Sequence, residues 1–169
     1  MTIRRIFSVF LMLFVISCTP AQNSKQPWQE YAYPAHSFAI SGPSAPQIYP
    51  DPQVSDTTIY GWQFSPDVKL VIHTAIRPNC LKVLTGIKES LAWVQPLISG
   101  SFRDIALDGH PGLEYESETM PGLKTFERLY CVGERRYYVT VWGPLNQSSW
   151  PPTVDRMFNS FRLLNRNSH

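Results

Sequence analysis

Alternation dominates the middle of the chain. In "VKLVIHTAI", Val68, Leu70, Ile72 and Ile76 share one side of an extended strand and Lys69, Val71, His73 and Ala75 the other, because strand side chains repeat every two residues. "HSFAI" from His36 and "TTIYGWQF" from Thr57 read as two earlier strands, parted by the turn residues "SGPSAP", and "SPD" closes the second. The period then lengthens. Val83, Leu84, Ile87, Leu91 and Val94 recur at helical spacing, with Asn79 placed to cap the start and Pro96 near the end. Strands return in "SFRDIAL", "LEYESE", "TFERLYCV" and "RYYVTVW". Between them Asp108-Gly109, Pro111-Gly112 and Pro121-Gly122 read as turns, proline presetting the first central angle of a type II turn and glycine supplying the positive φ of the second. Gly133 with Glu134 can close a further hairpin. A last helix is predicted from Pro152 to Ser160, with Val154, Met157, Phe158 and Phe161 along one side, before the apolar tail "FRLL". The helical stripes need a sheet to cover, so the pattern predicts a mixed α/β (α+β) domain.

The first residues follow neither period. "MTIRRIFSVFLMLFVISC" opens with Arg4 and Arg5 and continues through an apolar run, Ile6 to Ile16, about half as long as the roughly 20 residues a membrane-spanning helix needs. This reads as an export leader over residues 1–17. Its end, "VISC", resembles the bacterial lipobox, which implies lipidation of Cys18 and anchoring to a membrane through acyl chains. Thr19 follows where aspartate marks inner-membrane retention, so the resemblance favours the outer membrane, facing the periplasm. From Cys18 to Ala35 the chain is polar and proline-punctuated, predicting a flexible tether, with one globular domain over residues 36–169. About 130 residues suffice for one core.

Charge changes the picture once the leader is set aside. The chain holds 15 Lys and Arg against 13 Asp and Glu, and without Arg4 and Arg5 the 15 become 13. A neutral mature protein carries no basic field for nucleic acid. With Cys18 assigned to lipid, Cys80 and Cys131 are left either as a disulfide of an oxidising compartment or as two buried thiols apart, and their spacing does not choose.

Candidate chemistry is sparse. "IALDGHPGLEYESE" gathers His110 with Asp108, Glu114, Glu116 and Glu118. His110, standing before Pro111, fits the first position of a turn, and the three glutamates alternate onto one strand face that is expected to be solvated. His73 lies mid-strand, His36 at the domain's entry and His169 at the terminus. Neither the HExxH, HxxxH and CxxC spacings of a metal site nor the GxSxG, GxxxxGK[ST] and GxGxxG motifs occur, so no catalytic residue, metal or cofactor is assigned. Aromatic residues are plentiful, and "RYYVTVW" puts Tyr137 on one face and Tyr138 and Trp142 on the other. Trp150, between Ser149 and Pro151 in a polar loop, reads as a partner-binding anchor or as packing against the last helix.

"LDGHPGLEYE", "RLYCVGERRYYVTVWGP" and "MFNSFRLL" together resemble the second half of PsbP-like proteins, over about Phe102 to Leu164. The resemblance implies an α/β/α sandwich, an antiparallel β-sheet with helices on both faces, in a superfamily whose members mostly bind or stabilise protein partners. The expectation is a lipid-anchored, non-enzymatic binding or assembly module of the cell envelope with a protein partner. The alternative is a small envelope hydrolase using His110 or His73 with a nearby carboxylate.

Overall fold

The computed structural model describes residues 27–94 and 102–164. In chain order the elements are β1 (Gln29–Tyr33), a short 3-10 turn (Pro34–His36), β2 (Phe38–Gly42), β3 (Gln47–Pro50), β4 (Thr57–Ser65), β5 (Val68–Ile76), α1 (Cys80–Val94), β6 (Arg103–Leu107), β7 (His110–Met120), β8 (Leu123–Val132), β9 (Arg135–Pro144), α2 (Pro152–Asn159) and β10 (Arg162–Leu163). They form a mixed α+β fold of two sheets. The larger runs β3-β4-β5-β9-β8-β7-β6 and the smaller β1-β2-β10, with every pairing antiparallel.

Register sorts the strand side chains into two sets. Tyr60, Ile72, Val139 and Arg128 oppose one another in one row of β4, β5, β9 and β8, and Ile59, His73, Tyr138 and Leu129 in the next. The first set joins Phe38 and Ile40 of β2 and Val154, Met157 and Phe158 of α2 in the main core. Leu70, Ile72, Val139 and Val141 there are at most 1 % exposed. Each such side chain contributes about 1.5–3 kcal/mol relative to leaving it in water. The second set joins Cys80 and Leu84 of α1 in a smaller cluster with Leu113, Tyr115, Leu129 and Cys131. Beyond this cluster, β4, β5 and β9 carry polar groups on the same side, and there the candidate site lies.

Three strands went unpredicted: β1, β3 and the two-residue β10, which falls in the apolar tail "FRLL". β1 lies inside the stretch expected to be a flexible tether, so the folded part begins before His36. "QEYAY" leaves most of its side chains exposed and shows no period; it is held by antiparallel pairing to the next strand, β2, by Arg162 on the carboxylate of Glu30 at 2.8 and 3.0 Å, and by Trp28 under the Arg156 guanidinium at 4.0 Å. β3 is an edge strand with all four residues exposed, so it has no buried face to write an alternation.

The turn expected at Pro111-Gly112 is one step early in the structure. The β6–β7 hairpin reverses at Asp108 and Gly109, with φ of 50° and 80°, and His110, Pro111 and Gly112 already belong to β7. A dipeptide with both residues at positive φ matches the twist of the flanking strands, and Asp-Gly is well suited to it. Gly112 is required for another reason: a Cβ there would lie 2.6 Å from Tyr130 Cδ1 and 2.7 Å from the Leu129 carbonyl oxygen. Gly122 and Gly133 do hold positive φ, 81° and 60°, at the two following hairpins.

Candidate functional site

The expected site residues fall in separate places. Cys18 and His169 lie outside the described residues. Cys80, at the start of α1, and Cys131, on β8, are joined by a disulfide with their Cα atoms 5.7 Å apart. Trp150 is half-buried over β9: a Cβ on Gly143 would meet its ring at 2.6 Å, and Lys124 Nζ sits 4.9 Å from the ring centroid. It lies over the sheet and packs against the main core that α2 shares.

The glutamate face is not the wet surface expected. Glu114 is 6 % exposed, its two oxygens taken by Arg103 and by Arg128 Nε at 2.7 Å. Glu116 meets Lys124 at 3.2 Å, and Glu118 accepts the Gly122 N–H at 3.1 Å. Cross-strand register explains the difference, because Glu114, Glu116 and Glu118 stand opposite Arg128, Phe126 and Lys124.

The histidines are not brought together. His110 lines a cleft of about 510 Å³ with Asp108, Glu134, Arg135 and Leu163. His36 is hydrogen-bonded through Nδ1 to the Tyr60 hydroxyl, beside the main core. His73 lies in a second cleft, and its Nδ1 is 3.8 Å from the Asp51 carboxylate. Burial lowers the His73 pKa; Asp51 pulls it up, and Arg136 and Lys69 push it further down. Among the described residues no serine, threonine or cysteine is hydrogen-bonded to His73 or His110, and no group of three or more His, Cys, Asp and Glu side chains is placed to hold a metal ion.

The second cleft is a groove of about 400 Å³ along β9. Its floor is the alternate residues Arg136, Tyr138, Thr140 and Trp142, with Glu127 and Thr125 beside them on β8 and His73 on β5. The β3–β4 loop supplies Asp51 and Val54 to one wall, and the β7–β8 hairpin supplies Thr119 and Met120. Val54 and Met120 are 39 % and 55 % exposed, an apolar rim above a polar floor.

That floor is ordered by a buried chain of hydroxyls. Tyr138 donates to Glu127, and Tyr115 donates to Tyr138. Burial first, then the Glu127 charge, pushes both phenols far above their ordinary pKa, so both keep their protons. Glu127, 4 % exposed, therefore has its carboxylate engaged inside the protein. Two donors are not so engaged. Arg136 is half-buried with neither ion pair nor side-chain hydrogen bond among the described residues, and Trp142 Nε1 is buried with no acceptor. The sequence assigned Tyr138 and Trp142 to one face without marking it as a site; the interruption of that face by Arg136 and Thr140 was the signal available.

No family model and no curated protein matches this chain. Among solved structures, it is similar to the cyanobacterial PsbP (CyanoP) of Synechocystis sp. PCC 6803, with a TM-score of 0.53 and 10% identity over 84% of this chain and 95% of that one. A protein from Bacteroides thetaiotaomicron matches with a TM-score of 0.49 and 10% identity over 82% of this chain and 49% of that one. The fold is PsbP-like.

Proposed function

We propose that this protein is a non-enzymatic binding module of a bacterial cell envelope, anchored by lipid on Cys18 in the outer membrane and binding through the groove along β9. The groove carries the reading: a concavity with an apolar rim and a few convergent polar groups is the usual form of a binding site. The PsbP-like fold agrees with a binding role, and α1 and α2 sharing clusters with opposite side-chain sets agrees with a sandwich having helices on both faces. The hydrolase alternative needs a nucleophile within reach of a histidine. His73 instead meets the Asp51 carboxylate and the edge of the Tyr138 ring, 6.4 Å between centroids.

Two measurements test the reading. Cys18→Ser should leave an unprocessed precursor that no longer partitions into detergent; unchanged partitioning removes the anchor. Pull-down after gentle extraction should recover a partner with the wild type and lose it with the rim variant Val54→Glu/Met120→Glu, both exposed positions whose change leaves the core intact. Equal recovery by both would refute the groove as the binding surface.

A further inference from the structure

Two cations on the sheet face that carries the groove have no carboxylate. Arg136 of β9 and Lys69 of β5 are both half-buried, and neither forms an ion pair among the described residues. The 13 Asp and Glu residues of the chain all fall within the described stretches, so no acidic side chain elsewhere in the sequence is left to neutralise them. Register sets this arrangement. Arg136 has Ala75 and Cys131 as its cross-strand neighbours, and Lys69 has Gln63 and Trp142, its ammonium lying 3.7 Å over the Trp142 ring. The nearby carboxylates are engaged elsewhere or out of reach. Asp51 lies beside His73 and accepts the Gln53 and Val54 N–H groups at 2.8 and 3.2 Å, Glu127 holds Tyr138, and Asp67 lines a cleft with Lys69 without pairing to it.

The two charges stand at opposite ends of one trough. The groove along β9 and the cleft beside it, which holds Lys69, Leu123 and Pro144, share Met120 and Trp142. Lys69 is directly opposite Trp142, six residues along β9 from Arg136, which is about 20 Å at the rise of an antiparallel strand. Between the two cations the rim is apolar, at Val54 and Met120, and the Asp51 and Glu127 carboxylates line the walls and floor. A polyanion with a charge at every repeat would set further negative groups against those carboxylates and over that rim. A polypeptide with acidic side chains only near the ends of a short stretch meets a cation at each end and an apolar surface between them. A half-buried guanidinium without a partner is costly, and arginine anchors protein interfaces because its bonds to a carboxylate are charge-assisted.

We propose that the trough docks an extended acidic segment of a protein partner, with one carboxylate on Arg136, a second on Lys69, and an apolar side chain between them against Val54 and Met120. This rests on the groove being the binding surface and names the chemistry of the partner. The charge pair at the ends sets the direction and register of the segment, and the apolar middle supplies contact area.

The test is selection of a display library of random dodecapeptides on the purified full chain, with folding of each variant checked by its melting curve. The wild type should enrich peptides that carry two acidic residues about six positions apart with an apolar residue between them. A synthetic peptide of the enriched consensus should lose about tenfold in affinity with Arg136→Gln and again with Lys69→Gln, the loss expected when a bond between charged groups is removed. Arg136→Glu should draw lysine or arginine to the matching end of the selected peptides, a change of preference that damage to the fold does not produce. No enrichment by the folded wild type, enriched peptides without acidic residues, the same peptides on Arg136→Glu, or polyphosphate bound as tightly as the consensus peptide would each overturn the assignment. If non-acidic peptides are enriched and the Val54→Glu/Met120→Glu variant loses them, the acidic assignment falls and the binding surface stands; if that variant selects the same peptides as the wild type, both fall.

Discussion

Replacing Gly112 by alanine isolates steric contact from backbone conformation. The new Cβ would lie 2.6 Å from Tyr130 Cδ1, 2.7 Å from the Leu129 carbonyl oxygen and 3.0 Å from Tyr130 Cε1. The ring is buried at 5 % exposure and packed face-on to Phe161, 5.9 Å between centroids, and the carbonyl belongs to β8, so neither retreats without moving the sheet. Overpacking of this kind costs about 1–3 kcal/mol, and two rigid obstacles place Gly112→Ala near 2. That corresponds to a fall in Tm of roughly 6–10 °C for a domain of this size. Gly86 is the control, since a Cβ there meets nothing within 4 Å and the residue lies inside α1. Gly86→Ala should stabilise by about 0.5–1 kcal/mol. Urea midpoints with unchanged m-values measure both. Asparagine separates the two explanations for Gly112. If a left-handed conformation were at stake, Gly112→Asn would be milder than alanine; if space is at stake, it is worse. At Gly109, with φ of 80° and open surroundings, the order reverses and asparagine is the better substitute. A Gly112→Asn protein more stable than Gly112→Ala, or a Gly112→Ala midpoint equal to the wild type, would refute the reasoning.

Three further outcomes are expected. Arg128→Ala should cost about 2 kcal/mol or more in urea denaturation because it strips a partner from the nearly buried Glu114, whereas Arg103→Ala, on the same carboxylate but with its side chain 67 % exposed, should cost under about 1 kcal/mol; equal effects would contradict the burial argument. The Cys80–Cys131 bridge spans 51 residues, so reduction should remove up to about 4 kcal/mol, and thiol titration of the unfolded, unreduced domain should find neither cysteine reactive. His36 and His73 both have pKa values lowered by burial, His36 also by the Arg135 charge. The unfolded chain therefore binds more protons over the window just below the ordinary imidazole value of 6.5, so stability is complete above that value and declines as pH falls through the window. The slope of urea midpoint against pH should flatten in His36→Gln/His73→Gln, and a wild-type midpoint that rises on acidification would have the wrong sign.

Strong periods carried the elements that bury a face. "VKLVIHTAI" is β5 residue for residue, and the helical spacing beginning at Val83 falls within α1, whose first turn bonds to the backbone carbonyl of Asn79, a residue at φ 60°. The elements missed are those that bury too little to write a period. β1 and β3 leave most of their side chains exposed and do not alternate, and each is secured by backbone pairing with the strand that follows it. At Pro111-Gly112 two turn signals stood three residues apart, and the Asp-Gly pair took the reversal; the close approach of Tyr130 that fixes Gly112 is a contact between strands and has no local trace.

The same distinction governs the charged residues. Spacing placed Glu114, Glu116 and Glu118 on one face correctly, but whether that face is wet depends on what stands opposite, and Arg128 and Lys124 are set there by the Pro121-Gly122 hairpin. Register also works by omission. Arg136 is flanked by Ala75 and Cys131, while Glu127, two rows along on β8, faces Thr140 and is claimed by Tyr138. A shift of two residues between β8 and β9 would bring Leu129 or Glu127 to different neighbours without disturbing the alternation of either strand. The two turn residues Gly133 and Glu134 fix that register. A hairpin turn two residues from Arg136 thus decides that this guanidinium faces no carboxylate across the strands, which is why the site is invisible in a list of motifs and becomes legible only as cross-strand pairs.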